Sequence, residues 1–161
     1  MARITTNTTG TQPVIVIGLV GSNLANATTS ITIPFIQDLT ITNSTGVYSY
    51  TTFSDVDQRK LSTPANNELS TNIVIDDTTF FGSNAIGTTA AELGLMSLSS
   101  NKNPLDFQVF WAGKTTGTTD RVTTGTGFIT NIASKTSPTA PVWVTPLNIA
   151  VDGGMVTATN G

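Results

Sequence analysis

The amino-acid sequence predicts a mainly β protein: a β-sandwich or rolled antiparallel sheet with one short packed helix and extended terminal arms. Three observations predict it. Threonine makes up roughly a fifth of the 161 residues, and its branched Cβ favours a pleated sheet over a helix. Apolar and polar residues alternate with a period of two in several stretches, the mark of half-buried strands. Gly, Asn, Pro and Ser gather between those stretches, where turns belong.

Taken in order, residues 1–11 are polar and of low complexity, an N-terminal arm that can order on a neighbour. The run Val14-Ile15-Val16-Ile17-Gly18-Leu19-Val20 is a buried strand, far short of the ~18 apolar residues of a membrane span. It lacks the flanks of a signal peptide. Asn23 to Ser30 is a polar loop. Asp38–Thr42 and Val47–Phe53 alternate around Asn43-Ser44-Thr45-Gly46, a turn signal, so 38–53 is expected to be a hairpin. The segment 54–67 is the most charged, has no period and contains Pro64. It reads as a long exposed loop, and Glu68–Asp76 returns to strand.

One helix is expected, over about 88–99. Thr89-Ala90-Ala91-Glu92 is a capping box, in which hydroxyl and carboxylate serve each other's orphan amides. Ala91, Leu95 and Leu98 follow at helical spacing. Gly94 weakens this helix by about 1 kcal/mol relative to Ala, and Pro104 blocks its continuation. Leu105–Trp111 is a strand with Phe107, Val109 and Trp111 on one face and Asp106, Gln108 and Phe110 on the other. The stretch Gly125-Thr126-Gly127-Phe128-Ile129-Thr130-Asn131-Ile132 and then Pro141–Val151, closed by Gly153-Gly154, read as the last hairpin. Pro146 cannot donate to a ladder, so its strand is expected to be an edge strand or bulged. The chain thus divides into an arm 1–11, a β domain 12–156 and a tail 157–161.

Composition removes most chemistry. His and Cys are absent, which takes away the commonest general base, the commonest zinc ligand and any disulfide framework. Seven Lys and Arg against ten Asp and Glu give a net charge of −3, and the scattered cations form no phosphate-binding cluster. Gly113-Lys114-Thr115 has the end of a P-loop, but position 108 is Gln. Gly125-Thr126-Gly127 is half of a dinucleotide fingerprint, with Thr130 where the third Gly belongs. Asp55-Val56-Asp57 and Asp76-Asp77 could offer oxygens to a hard cation, yet neither lies in an EF-hand frame. No catalytic residue, metal ligand or cofactor is assigned. Trp111 and Trp143 sit in strands and read as core or interface anchors.

With this order in hand, the chain resembles the major tail tube proteins of long-tailed phages. Two stretches carry the resemblance: Tyr48-Ser49-Tyr50-Thr51-Thr52-Phe53-Ser54-Asp55, like the family's strand before its long loop, and Gly125-Thr126-Gly127-Phe128-Ile129-Thr130-Asn131, like its Gly-x-Gly-Phe-Ile-Thr step. The helix lies between them, as in the family. The resemblance implies a non-enzymatic virion protein, made in the host cytoplasm, whose copies close into rings, six to a ring, that stack into a channel. Implied partners are other copies of the chain, a tape-measure protein, tail terminator and baseplate or tip proteins, and double-stranded DNA that passes without specific binding; no membrane is involved. Asp55, Asp57, Arg59 and Lys60 are then expected to make polar contacts between subunits and rings, and Asp76 and Asp77 to face the lumen or an interface. A capsid decoration or cement protein is the rival reading, and a carbohydrate-binding or hydrolytic β-sandwich a more distant one, disfavoured by few aromatics and no His.

Overall fold

The computed structural model describes residues 12–33, 35–53, 56–112 and 121–159; the expected arm 1–11 lies outside them. Within them run β1 (Val14–Leu19), β2 (Ser30–Thr32), β3 (Ile36–Tyr50), β4 (Arg59–Val74), α1 (Asp77–Phe81), α2 (Ala90–Ser100), β5 (Leu105–Phe110), β6 (Arg121–Ile132), β7 (Lys135–Ser137) and β8 (Ala140–Thr159). The mainly β expectation holds. The strands form one sheet in the order β2-β1-β5-β6-β8-β4-β3, with β7 on β8, and all pairings are antiparallel. The sheet is rolled: Leu39 and Ile41 of β3, near one edge, share a cavity of about 350 Å³ with Pro13 and Trp111 from the far side.

Registers place the apolar residues of successive strands in rows on one face. Ile149 of β8 pairs with Leu69 of β4 and with Ile129 of β6, and Leu69 pairs in turn with Ile41. Ile17 pairs with Phe107, and Phe107 with Gly125. A Cβ on Gly125 would lie 2.7 Å from Cζ of Phe107, so this glycine is the floor under the Phe107 ring. These residues form one core with Phe80, Leu93, Leu95 and Leu98 of the two helices. Threonine also enters this core, and its hydroxyls find partners there. Thr71 donates to the Asp38 carbonyl at 2.5 Å, Thr145 to the Pro146 carbonyl at 2.9 Å, and Thr123 accepts from Trp111 Nε1 at 2.8 Å. Satisfied hydroxyls can be buried at little cost.

Five expectations are corrected or refined by the strand pairing. First, Asn43-Ser44-Thr45-Gly46 is not a turn; β3 runs straight through it, paired residue for residue with β4 up to a bulge at Gly46. The hydroxyl of Ser44 donates to the Asn66 carbonyl at 2.7 Å, so these turn-forming side chains serve the ladder. Second, the expected loop 54–67 is largely strand, since β4 begins at Arg59 and carries Pro64 beside the same bulge. Third, Pro146 is in a central strand. It pairs with Asn72 of β4 at a point where β6 has ended at Ile132 and β7 has not begun. The Ala133 amide there donates to the Thr145 hydroxyl at 3.1 Å. Fourth, Thr157 to Thr159 of the expected tail pair with β6. Between these pairs and Asp152, Gly125 alone faces residues 153–155, and Gly153 adopts φ +84. The buried Asn67 clamps this bulge, Nδ2 donating to the Gly153 carbonyl at 2.9 Å.

Fifth, the described residues hold two helices, and the longer is kinked. Its start is the expected capping box on Thr89 and Glu92. Gly94, however, has φ 71 and ψ 165, which interrupts the helix instead of merely weakening it. Gly82, which ends α1 with φ +70, lies against it backbone to backbone. The amides of Ser83 and Asn84 both donate to the Glu92 carbonyl, at 2.9 and 2.8 Å. Two glycines at positive φ thus let α1 and α2 touch as closely as main chains can.

Gly94→Ala is expected to cost about 3 kcal/mol, because positive φ alone costs an L-residue about 1–2 kcal/mol and the new methyl would meet the Phe80 carbonyl oxygen at 2.8 Å. Gly21→Ala, at φ +80 but in open space, should cost about 1 kcal/mol. Urea denaturation of the two variants measures the difference. The Glu92 carboxyl is held below its ordinary value of 4.5 by hydrogen bonds from the Thr88 amide and from the Thr89 hydroxyl and amide. A depressed carboxyl stabilises the fold fully above 4.5 and loses that contribution as pH falls through its lower folded value. The gap in Tm between the native chain and Glu92→Gln should therefore be widest above pH 5 and narrow on acidification.

Candidate functional site: a polar sheet face and a projecting ribbon

Because side chains alternate along a strand, the registers that gather the core also gather a second face. On β3, β4, β8 and β6 it consists of Asp38, Thr40 and Thr42, then Glu68, Ser70 and Asn72, then Asn148, Ala150 and Asp152, then Thr126 and Phe128. Neighbouring strands bond across it. Asn72 donates from its amide and from Nδ2 to the two Asp38 carboxylate oxygens, at 2.7 and 2.6 Å. Ser70 donates to Asn148 Oδ1 at 3.0 Å, and Thr126 to Asp106 Oδ1 at 2.7 Å on β5. Beyond β5 the loop Ser22–Ala25 rises over this face, leaving a cavity of about 560 Å³ lined also by Asp106, Gln108 and Thr126.

Towards β1 and β5 this face carries a buried apolar cluster, Val16, Leu24, Phe110 and Val122; elsewhere it is polar. It holds hydroxyls, amides and four carboxylates, Asp38, Glu68, Asp106 and Asp152, with no Lys or Arg on these strand positions. Such a surface is negative and offers phosphate no cationic partner. No group of three or more His, Cys, Asp or Glu among the described residues is arranged to hold a metal ion. Phe128, 44% exposed, is an exposed large apolar residue on the face, whereas its neighbour Ile129 is 5% exposed and belongs to the core.

A second surface projects from the sheet. β8 pairs with β4 only as far as Asn67, so residues 44–50 and 59–66 continue as a two-stranded ribbon, about 20 Å long at ~3.3 Å per residue. Val47, Tyr48 and Leu61 are exposed on it, as are Phe53 and Val56 near its tip. Tyr48 and Tyr50 stack with ring centroids 6.3 Å apart. Of the residues expected to make contacts, Arg59 pairs with Tyr50 and Lys60 with Ser49 on this ribbon. Asp57 is exposed beside them, and Asp55 lies outside the described residues. Asp76 and Asp77 sit at the opposite end of β4. Asp76 is the N-cap of α1, accepting from the Thr79 amide and hydroxyl at 3.1 Å each, and Asp77 is exposed in its first turn. The structure therefore brings Asp57, Arg59 and Lys60 together and sets Asp76 and Asp77 apart from them and from the polar face. Asp38, Asp106 and Asp152 were missed as candidates. Their signal was local: each directly neighbours a core-facing Leu or Val and so falls on the polar phase of an alternating strand.

No protein-family model and no curated protein matches the chain in sequence. Solved structures do match in shape. A chain in the tail of an empty gene transfer agent particle, refined with C6 symmetry, superposes with a TM-score of 0.60 at 15% identity, over 90% of this chain and 96% of that one. The SPP1 tail tube gives 0.58 at 12% identity, over 91% and 76%. A chain of the anti-feeding prophage baseplate gives 0.55 at 10% identity, over 96% and 97%. The fold is shared with tail and tail-tube chains. The likeness spans 90–96% of this chain.

The two faces of β6 predict opposite outcomes for adjacent residues. Ile129→Asp buries a charge in the core and should cost several kcal/mol, on the order of 4, leaving little folded protein. Phe128→Asp adds one more carboxylate to the polar face and should leave the circular dichroism spectrum and urea midpoint near those of the native chain.

Proposed function

We propose that this chain is a structural subunit of a tail tube, with no catalytic role, whose copies close into rings of six and stack around a channel. The observation that carries the reading is the sheet face of hydroxyls, amides and four carboxylates without a cation, on a fold shared with tail-tube chains. The other face is consumed by the core and the helices, which leaves the polar face to line the channel. Closing the sheet across subunits would also remove the free edge of β3, an exposed strand edge that invites pairing. Double-stranded DNA would pass along this wall without being held, because like charge repels phosphate and no cation there can pair with it. A tape-measure protein would occupy the same channel before DNA does, and terminator and baseplate proteins would close the two ends. The protein would be made in the host cytoplasm and reside in the virion tail.

The ribbon and the arm 1–11 are assigned to contacts between subunits and rings, with Asp55, Asp57, Arg59 and Lys60 as the polar partners. Asp77 remains assigned to an interface, and Asp76 to holding the helix beside it.

Electron microscopy of the concentrated native chain should show stacked rings with an open channel, and a monomer under those conditions overturns the reading. Glu68→Lys combined with Asp152→Lys changes the charge of each subunit by +4 on the proposed wall. Those tubes are expected to retain linear double-stranded DNA at low salt and release it at high salt, whereas native tubes retain none.

A further inference from the structure

We infer that the open end of the rolled core is a docking site for this chain's own N-terminal segment, residues 1–11, with Ile4 as the side chain that enters it. The inference goes beyond the tube reading and does not rest on it.

The site is the cavity of about 350 Å³ between Pro13, Leu39, Thr40, Ile41 and Trp111. Strand alternation explains its lining. Pro13 continues the row of Ile15 and Ile17, and Trp111 the row of Phe107 and Val109. Those four residues are at most 1% exposed, whereas Pro13 and Trp111 are half-buried. Leu39 and Ile41 are likewise half-buried, although Thr71 and Leu69, their partners on β4, are closed off at 1% and 0%. The core therefore has a mouth here, and apolar side chains line it. Trp111 is fixed in place, since Nε1 donates to Thr123 Oγ1 at 2.8 Å and that oxygen lies 2.8 Å from Thr157 Oγ1. With its one polar atom engaged, the indole offers the cavity only carbon.

Connectivity and composition select the occupant. Two segments outside the described residues begin at the rim: 1–11, behind Pro13 and the exposed Gln12, and 113–120, beyond Trp111 and Ala112. The second, Gly-Lys-Thr-Thr-Gly-Thr-Thr-Asp, has no apolar side chain to place in the cavity. The first has Met1, Ala2 and Ile4, and Ile4 is the nearest of these to Pro13 along the chain. The stretch from Ile4 to Pro13 can span about 30 Å at ~3.3 Å per residue, so reach is no obstacle, and Gly10 permits the reversal. Space is sufficient as well, because a dry cavity of ~150 Å³ already admits benzene. Arg3 and the polar run Thr5–Thr11 would stay at the surface, where the contacts between subunits assigned to the arm remain open to them.

The absence of native cysteine lets disulfide trapping read the contact. Ile4→Cys combined with Leu39→Cys should close an intrachain bond on mild oxidation, seen as a faster monomer band on a non-reducing gel with no free thiol. Thr8→Cys combined with Leu39→Cys, from the polar part of the same segment, should close about tenfold more slowly. Equal rates from the two positions, a bond between chains instead of within one, or no bond at all overturns the docking. Should the cysteine chains not fold, the fluorescence of Trp111 reads the same mouth. Trp111 and Trp143 are the two tryptophans, and Trp143 is 55% exposed, so Trp143→Phe isolates the Trp111 signal. In that background Ile4→Asp should shift the emission to longer wavelength and Thr8→Asp should leave it unchanged. Emission that does not distinguish the two variants overturns the docking. Both measurements are made on the soluble chain whether or not it forms tubes, so failure of the tube reading and failure of the docking are separate results.

Discussion

Everything in this molecule depends on β8 being held on both sides at once. Over Leu147 to Val151 it pairs with β4 and with β6, so Ile149 stands between Leu69 and Ile129, and Leu147 beside Thr71 and Ile132. That double register fixes which side chains point to the core. Since the period along a strand is two, it fixes the composition of the opposite face in the same step. A slip of one residue would bring Asn148, Ala150 and Glu68 inward and expose Ile149 and Leu69. The hydrophobic penalty of that exchange, about 1.5–3 kcal/mol per large side chain, is what keeps the acidic face outside.

The same economy explains the threonine content. A sheet with a core on one side and a polar face on the other needs residues that tolerate both. Thr71, Thr123 and Thr145 are buried with satisfied hydroxyls, while Thr40, Thr42 and Thr126 serve the polar face. Glycine is used where geometry leaves no alternative. Gly125 makes room for Phe107, and Gly82 and Gly94 let two helices meet main chain to main chain.

Much of this was legible in the sequence. Period-two alternation marked β3 and β5, a short apolar run marked β1, and the capping box placed the N-cap of α2 at Thr89. What was not legible has physical reasons. Asn43-Ser44-Thr45-Gly46 has turn chemistry, but the turn is overruled by a partner strand that pairs through it and absorbs Gly46 in a bulge. Arg59, Lys60 and Pro64 look like loop residues because the ribbon they build is solvated on both faces and has no apolar phase to betray a strand. α1 is five residues long, too short for a periodic signal. Gly94 could be recognised as a weak point, but its positive φ is dictated by Gly82, twelve residues earlier, and that contact is invisible in one dimension. Among candidate site residues, Asp57, Arg59 and Lys60 were singled out because charge concentrates there. Asp38, Asp106 and Asp152 were passed over because they are scattered in sequence and converge only when registers are known.

A tail-tube role depends on the orientation of one sheet face. A density map of assembled tubes, at a resolution that separates strands, measures it directly. The account predicts that Glu68, Ser70, Asn148 and Asp152 line the channel, with α1 and α2 on the far side of the sheet from it. A map in which these four residues face the tube exterior or lie against the helices of a neighbouring subunit would contradict it.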